Sequence, residues 1–182
     1  AGQVNSQQLE LANTILKNVE HMGSLINNLL DLSRIESGRI NISFQSIALD
    51  RTIQAAIRSI QDQIDAYQHR LEVTVPSDLP QVQADPARLT QVWDNLISNA
   101  CKYTPPRGHI HVWARQQQDP GPNPSDQSWI LCAVADNGVG IAPKDREHIF
   151  EQFYRVDPPH NKDPGTGLGL SIARSIIELH GG

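Results

Sequence analysis

The sequence predicts an α+β fold, a layer of helices on one face of a mixed sheet, preceded by one long bundle helix. Three observations carry this prediction. Apolar residues recur at steps of three and four through the first forty positions, and further on short alternating segments are intermixed with helical ones. Two of the alternating segments, 109–116 and 128–136, flank the turn-rich stretch DPGPNPSDQ, which marks an antiparallel hairpin. With 182 residues, 38% of them hydrophobic, the chain suits one main core plus an extra element.

The first element is a helix over 5–37, with Leu11, Ile15, Val19, Met22, Ile26 and Leu29 as its stripe and Leu25, Leu30 and Leu32 widening it. Asn13, Lys17, Glu20, Asn27 and Asn28 fall on the other face, and Gly38 provides a stop. A helix this long is not stable alone, so its stripe is expected to meet partner helices that the sequence does not contain. INISFQSI (40–47) alternates as a half-buried strand, and Asp50 is expected to cap a helix whose stripe is Ile53, Ile57, Ile60, Ile64 and Tyr67. LEVTV (71–75) reads as a strand. Asp85-Pro86 is a strong helix start, with Leu89, Val92, Leu96 and Ala100 buried and Pro105 as terminator. HIHVWARQ and SWILCAVAD form the hairpin strands, and the polar, Pro- and Gly-rich segment 157–166 is expected to be mobile. No internal repeat is visible.

Composition narrows the function. Fifteen Lys+Arg against twenty Asp+Glu give a formal net charge of -5 with no long basic run, which argues against a nucleic-acid partner. Cys101 and Cys132 show no CxxC pattern and no paired His spacing, so buried thiols in a reducing cytosol are expected rather than a disulfide or zinc site. No apolar run approaches the roughly 18 residues needed to cross a bilayer, and Ala1 opens into polar sequence without a signal-peptide pattern. The expectation is a soluble, cytoplasmic segment, compatible with a membrane anchor elsewhere in its parent protein.

Three stretches have residue types suited to chemistry. In QVWDNLISNACKYT (91–104), Asn95, Asn99 and Lys102 project from one side of a helix end, beside the apolar stripe. Neutral amide oxygens suit a hard divalent cation and the lysine suits phosphate, whereas the plain alternative is a solvated helix face. VADNGVGIAP (134–143) runs an apolar strand into Asp136, Gly138 and Gly140. A simple turn accounts for the glycines; the sharper reading has Asp136 accepting from an amino group while glycine backbone approaches a flat ring. GTGLGLSIARSIIE (165–178) sets Gly165, Gly167 and Gly169 ahead of an apolar helix; a helix start with bare glycine N–H groups suits an anion, and the plain alternative is a flexible cap with no ligand. It matches neither the Walker pattern nor the dinucleotide fingerprint.

In this order, and joined by IFEQFYR (149–155), these stretches resemble the N, first glycine, F and second glycine boxes of sensor histidine kinases, which share an ATPase superfamily with gyrase, Hsp90 and MutL. LINNLLDLSRIESGRI (25–40) is similar to the second helix of their dimerisation domain and its exit into the catalytic domain. The resemblance covers nearly the whole chain. It implies a two-layer α/β sandwich holding ATP under a lid, with domains at 1–38 (partial dimerisation and phosphotransfer) and 39–182 (ATP-binding catalytic). It further implies that Asn99 coordinates Mg²⁺ with Asn95 in support, that Lys102 reaches a phosphate, Asn99 and Lys102 being the catalytic pair, and that Tyr103 lies near the adenine. By the same motifs Asp136 accepts from the adenine amino group and Gly138, Gly140 and Ile141 border the ring. Gly165, Thr166, Gly167, Leu168, Gly169 and Leu170 form the lid side of the nucleotide site. Phe150 and Phe153 anchor the lid, and Arg155 meets a phosphate or a partner helix.

Two departures shape the functional expectation. The family's acceptor histidine normally sits in a pattern resembling H-E-[LIV]-R-T-P, which none of the seven histidines matches, and His21 reads as a solvated or packing residue. Relatives also continue past a comparable H-G-G into further strands, whereas Gly182 ends this sequence, so the chain reads as an excised piece. The expected activity is transfer of the ATP γ-phosphoryl group to a histidine outside this chain, with Mg²⁺, for signalling to a response regulator receiver domain. The expected partners also include a histidine-bearing dimerisation helix and, in the intact protein, a second copy. Alternatives at this stage are a serine-directed kinase or ATPase of the same superfamily and a non-catalytic nucleotide-binding or docking module.

Overall fold

The computed structural model describes residues 5–118, 128–156 and 165–182. Helix α1 (Ser6–Glu36) opens with a capping box between Asn5 and Gln8. It closes in a Schellman turn, in which Arg39 N–H donates to the Arg34 carbonyl at 2.9 Å and Gly38 N–H to that of Ile35 at 3.0 Å. Leu11, Ile15, Val19, Met22, Ile26 and Leu29 are all exposed, so the main stripe is uncovered within this chain. The last turns are different. Leu32 is buried, while Leu25, Asn28, Asp31 and Ile35 are half-buried, making a second stripe at helical spacing that faces the rest of the chain. Asn28, expected on the solvent face beside Asn27, belongs to this second stripe because the domain covers that side.

Helix α2 (Leu49–Ala66) and helix α3 (Pro86–Tyr103) pack together over a sheet. Strands β2 (Arg70–Thr74), β4 (His109–Gln118) and β5 (Ser128–Asp136) form that sheet in the order β2-β4-β5, with β2 parallel to β4 and β4 antiparallel to β5. Its inner face contributes Ile110 and Val112, fully buried, with Leu71, Val73, Cys132 and Val134 packed against Ile53, Ile57, Ile60, Ile64, Trp93 and Ile97. This is the main core, and the hairpin and mixed sheet match the sequence expectation. Stretch 119–127, the hairpin connection, lies outside the described residues. Burial pushes the thiol pKa values of Cys101 and Cys132 up to about 11, so neither is a thiolate near neutral pH.

Three local expectations are corrected. Strand β1 is confined to Gln45–Ile47 rather than spanning 40–47, because its antiparallel partner β3 (Val82–Ala84), which the pattern did not reveal, is itself three residues long. Helix α2 is capped at Ala48 with no side-chain bond. Burial of Leu49 against Ala84 and Leu89 starts the helix earlier and leaves Asp50 in its first turn, where its charge still suits the helix dipole. Tyr67 follows the last helical residue instead of continuing the stripe, and its ring is exposed.

Helix α4 (Gly169–Leu179) lies against α3 and the end of α1. Leu32, Val92, Leu168, Ile172, Ala173 and Ile176 make a second cluster that ties the three helices together. Polar contacts border it. Asp31 accepts from Arg88 Nη1 at 3.0 Å and from Gln91 Nε2 at 2.8 Å, and Glu36 Oε1 accepts from Gln152 Nε2 at 3.0 Å. At the opposite end of α4, His180 Nδ1 faces the Ile176 carbonyl at 2.7 Å while Nε2 accepts the Asp85 N–H at 3.0 Å, which fixes the tautomer with the proton on Nδ1.

Candidate functional site

Helix α3 carries the centre of the site, and its start is well fixed. Asp85 caps it, accepting from the N–H groups of Ala87 and Arg88, with a further bond from Ser43 N–H. Burial raises the Asp85 carboxyl, but these three N–H donors and the Arg88 charge outweigh it and hold the group below the usual carboxylate range. Val92, Trp93, Ile97, Ala100 and Cys101 are buried, which turns Asn95, Asn99, Lys102 and Tyr103, all half-buried, toward the edge of the core. Leu96, expected in the buried stripe, is partly buried against the second cluster.

The glycine-rich stretch comes up against this side of α3. A Cβ placed on Gly165 would lie 2.7 Å from Lys102 Nζ, and one on Gly169 would lie 3.1 Å from Asn95 Oδ1. Gly167 has φ +71, and a Cβ there would meet the Phe153 backbone at 2.8 Å, so both conformation and space call for glycine. Leu168, expected on the lid side, buries its side chain completely, while its N–H donates to Thr166 Oγ1 at 3.1 Å. Thr166, Gly167 and Leu170 are half-buried. Of the segment expected to be mobile, 157–164 lies outside the described residues.

The third wall is the turn after β5. The register pairs Asp136 with Ile110, which places it on the helix-facing side of the sheet at the strand end, where it is exposed. Its Oδ1 accepts the Gly138 N–H at 2.9 Å. A side chain on Gly138 would collide with the Tyr103 carbonyl, which also accepts Val139 N–H at 3.3 Å. Asn137, which the motif reading passed over, pins the turn by accepting His109 N–H at 2.8 Å. An Asn directly after a strand-end Asp was the available signal, since Asx side chains bond nearby backbone in turns. Gly140, at φ +69, borders open space, and Ile141 is exposed.

The F-box segment lies beside the start of α4. Phe150 and Phe153 are 40% and 60% exposed, and stretch 157–164 of the lid they are expected to anchor lies outside the described residues. Phe153 acts through its backbone: φ +63 turns the side chain outward, and its N–H donates to the Gly167 carbonyl at 2.9 Å. Arg174 lies 5.8 Å from the Phe150 ring, and Arg155 is exposed. The turn is braced by Tyr154, whose hydroxyl donates to buried Asp145 at 2.7 Å. An open groove of about 450 Å³ between this segment and α4 is lined by Phe150 and Arg174 among others and includes no residue of α3.

Exposed His148 pairs with Glu151 at 2.7 Å, and the hydrogen bond and charge of Glu151 raise its pKa. A raised folded-state value means that the pairing contributes fully below the unfolded histidine value of about 6.5 and is lost as pH rises through the folded one. Glu151→Gln is therefore expected to lower the His148 midpoint in an NMR titration. An unchanged midpoint would show that the pair does not exist in solution.

The Asn/Lys side of α3, the turn at 136–140 and the start of α4 thus come together in one region, through the approaches of Gly165 to Lys102, Gly169 to Asn95 and Gly138 to Tyr103. Within it Asn95 Nδ2 is buried with no hydrogen-bond partner among the described residues. An unmet buried donor costs about 1–3 kcal/mol, which an anionic oxygen bound beside it would offset. Cationic Lys102, the helix start and bare glycine backbone are the donor set a polyphosphate requires, and the amide oxygens of Asn95 and Asn99 suit its divalent cation. Among the described residues no group of three or more His, Cys, Asp or Glu is placed to hold a metal ion.

Comparison with known proteins gives the same direction. Residues 84–182 match the family of histidine kinase-, DNA gyrase B- and HSP90-like ATPases, and residues 2–38 match the His Kinase A (phospho-acceptor) domain. The non-motile and phage-resistance protein of Caulobacter vibrioides is 36% identical over 90% of this chain and 19% of its own length. The sensor histidine kinase WalK of Bacillus subtilis is 34% identical over 90% of this chain and 26% of its own. Among solved structures, full-length ShkA in complex with AMPPNP superposes with a TM-score of 0.74, at 24% identity, over 97% of this chain and 35% of that one. The mycobacterial sensor histidine kinase MprB gives 0.61 at 29% identity over 76% and 81%. The chain spans 19%, 23% and 29% of the length of the first three curated relatives.

Proposed function

The chain belongs to the sensor histidine kinases, within the histidine kinase-, DNA gyrase B- and HSP90-like ATPases, and from that premise we propose that it is the MgATP-binding catalytic segment of a protein-histidine kinase, residues 39–182, with part of the dimerisation domain at 1–38. The observation that carries the reading is the approach of Gly165 and Gly169 to Lys102 and Asn95, which brings bare backbone against amide and ammonium groups in one region. When bound, MgATP supplies the phosphoryl group and a metal charge that screens the phosphates. Asn99 holds the cation, Asn95 supports it and Lys102 offsets charge on the phosphates. Gly165, Thr166, Gly167, Leu168, Gly169 and Leu170 surround the phosphate chain with Phe153 behind Gly167, and Arg155 lies at the rim. Asp136 accepts from the adenine amino group, with Tyr103, Gly138, Gly140 and Ile141 along the ring.

The protein's contribution is positioning and electrostatics. The bond between the γ-phosphorus and the bridging oxygen breaks, a P–N bond forms to an imidazole on a dimerisation helix, ADP leaves and the imidazole releases its N–H proton. The uncovered α1 stripe supports a helix bundle as partner, formed with a second copy in the intact protein, and a receiver domain as the final acceptor. No described helix is long and apolar enough to cross a membrane, and we place the segment in the cytoplasm. The test is incubation with γ-labelled ATP, Mg²⁺ and a histidine-bearing dimerisation domain. Acid-labile, base-stable label on that domain is expected; acid-stable label, or binding without transfer to any such domain, would refute the reading.

A further inference from the structure

We propose that His69 is a positioning residue for the adenine side of the nucleotide site, acting by fixing the chain where it leaves α3. The inference rests on the nucleotide reading given above and adds a residue to it that touches neither base nor phosphate. His69 is a buried polar side chain at the corner between α2 and β2, 7% exposed, and its ring stacks on Tyr67 at 5.5 Å with an interplanar angle of 8°. Its Nε2 lies 3.2 Å from the Thr104 carbonyl oxygen. A carbonyl can only accept, so Nε2 carries a proton and donates it. Thr104 directly follows the last residue of α3 and has extended backbone, so its buried carbonyl needs a partner from outside the helix. The imidazole meets the carbonyl there, from an element with no role in the site.

The bond is the buried member of a set that holds two loops together. Arg107 N–H donates to the Tyr67 carbonyl at 2.9 Å, Arg107 Nε to Gln68 Oε1 at 3.2 Å, and Arg70 N–H to the Gly108 carbonyl at 2.8 Å. Gln68 and Arg107 both hold positive φ, +55 and +64, so each loop keeps a backbone shape that is unfavourable for a side-chain-bearing residue and needs support. On its other side the same stretch meets the ring pocket. The Tyr103 carbonyl receives Val139 N–H, Gly138 lies against it, and His109 exchanges bonds with Asn137, its N–H donating to Oδ1 at 2.8 Å and its carbonyl accepting Asn137 N–H at 3.2 Å. Residues 103–109 are thus held between the α2–β2 corner and the 136–139 turn. A slack corner would let Tyr103 and Gly138 drift, and displacements of that kind at a binding wall reduce affinity without touching the ligand.

Two variants separate this role from bulk. His69→Phe keeps the flat ring and the stacking on Tyr67 but donates nothing, whereas His69→Gln restores a side-chain N–H donor. Calorimetry with MgADP is expected to show affinity reduced about tenfold in His69→Phe and returned to within about threefold of wild type in His69→Gln. Variants that both bind like wild type, or a Gln variant no better than the Phe variant, overturn the inference. Should His69→Phe fail to fold, imidazole ¹⁵N spectra of the wild-type chain decide. An Nε2-protonated signal that shifts on MgADP addition supports the role, and a signal that does not respond overturns it. A wild-type chain that binds no MgADP overturns the nucleotide reading itself; normal wild-type binding with unaffected variants overturns this inference alone.

Discussion

Asp136→Ala is expected to lower affinity for an adenine nucleotide by about 10- to 100-fold while leaving the fold intact. A hydrogen bond to a charged group is worth about 1.5–3 kcal/mol, and each 1.4 kcal/mol is a factor of ten. The carboxylate is exposed at a strand end, and the described contact it makes is the bond from Gly138 N–H, so its removal strips recognition and little stability. Titration calorimetry against ATP and against GTP checks the effect, because a lost acceptor for the adenine amino group also narrows the preference for adenine. Unchanged affinity with unchanged preference would remove Asp136 from the site.

The second large effect concerns stability. Ile172, fully buried between α1, α3 and α4, is expected to cost about 2–4 kcal/mol when cut back to alanine, from lost burial and the cavity left behind. Native stabilities of roughly 5–15 kcal/mol make that a substantial fraction. Urea unfolding of Ile172→Ala should show a lower midpoint with a similar slope. Because this cluster also holds Leu168 and Leu32, the variant should loosen the lid-side glycines and the end of α1 together, visible as faster amide exchange in both. Loosening confined to α4 would show that the cluster does not couple the three helices.

Periodicity and caps made most of the architecture legible. Asp85-Pro86 marked the start of α3 because capping and a proline at the first turn are local chemistry, and the positions 53, 57, 60 and 64 marked the face of α2 because burial repeats with the helix. What stayed hidden depended on partners distant in sequence. β3 is too short to show alternation and exists by pairing with β1, and the start of α2 was set by Leu49 finding Ala84 and Leu89 rather than by Asp50. The second stripe of α1, through Leu25, Asn28 and Leu32, is visible only once α3 and α4 are beside it. In the candidate site, the motif residues were legible as candidates, whereas the residues that brace the turns were passed over. Asn137 and His69 bond backbone across the fold and belong to no repeating pattern, and the backbone N–H that Phe153 gives Gly167 has no sequence signal of its own.

The most direct test of the site is a map of backbone amide shifts during titration with Mg²⁺ and a non-hydrolysable ATP analogue. Saturable changes concentrated in residues 95–103, 136–141 and 165–170 are predicted, with the outward turns of α1 near Leu11 and Ile15 undisturbed. Changes scattered over the surface, or none at millimolar nucleotide, would contradict it.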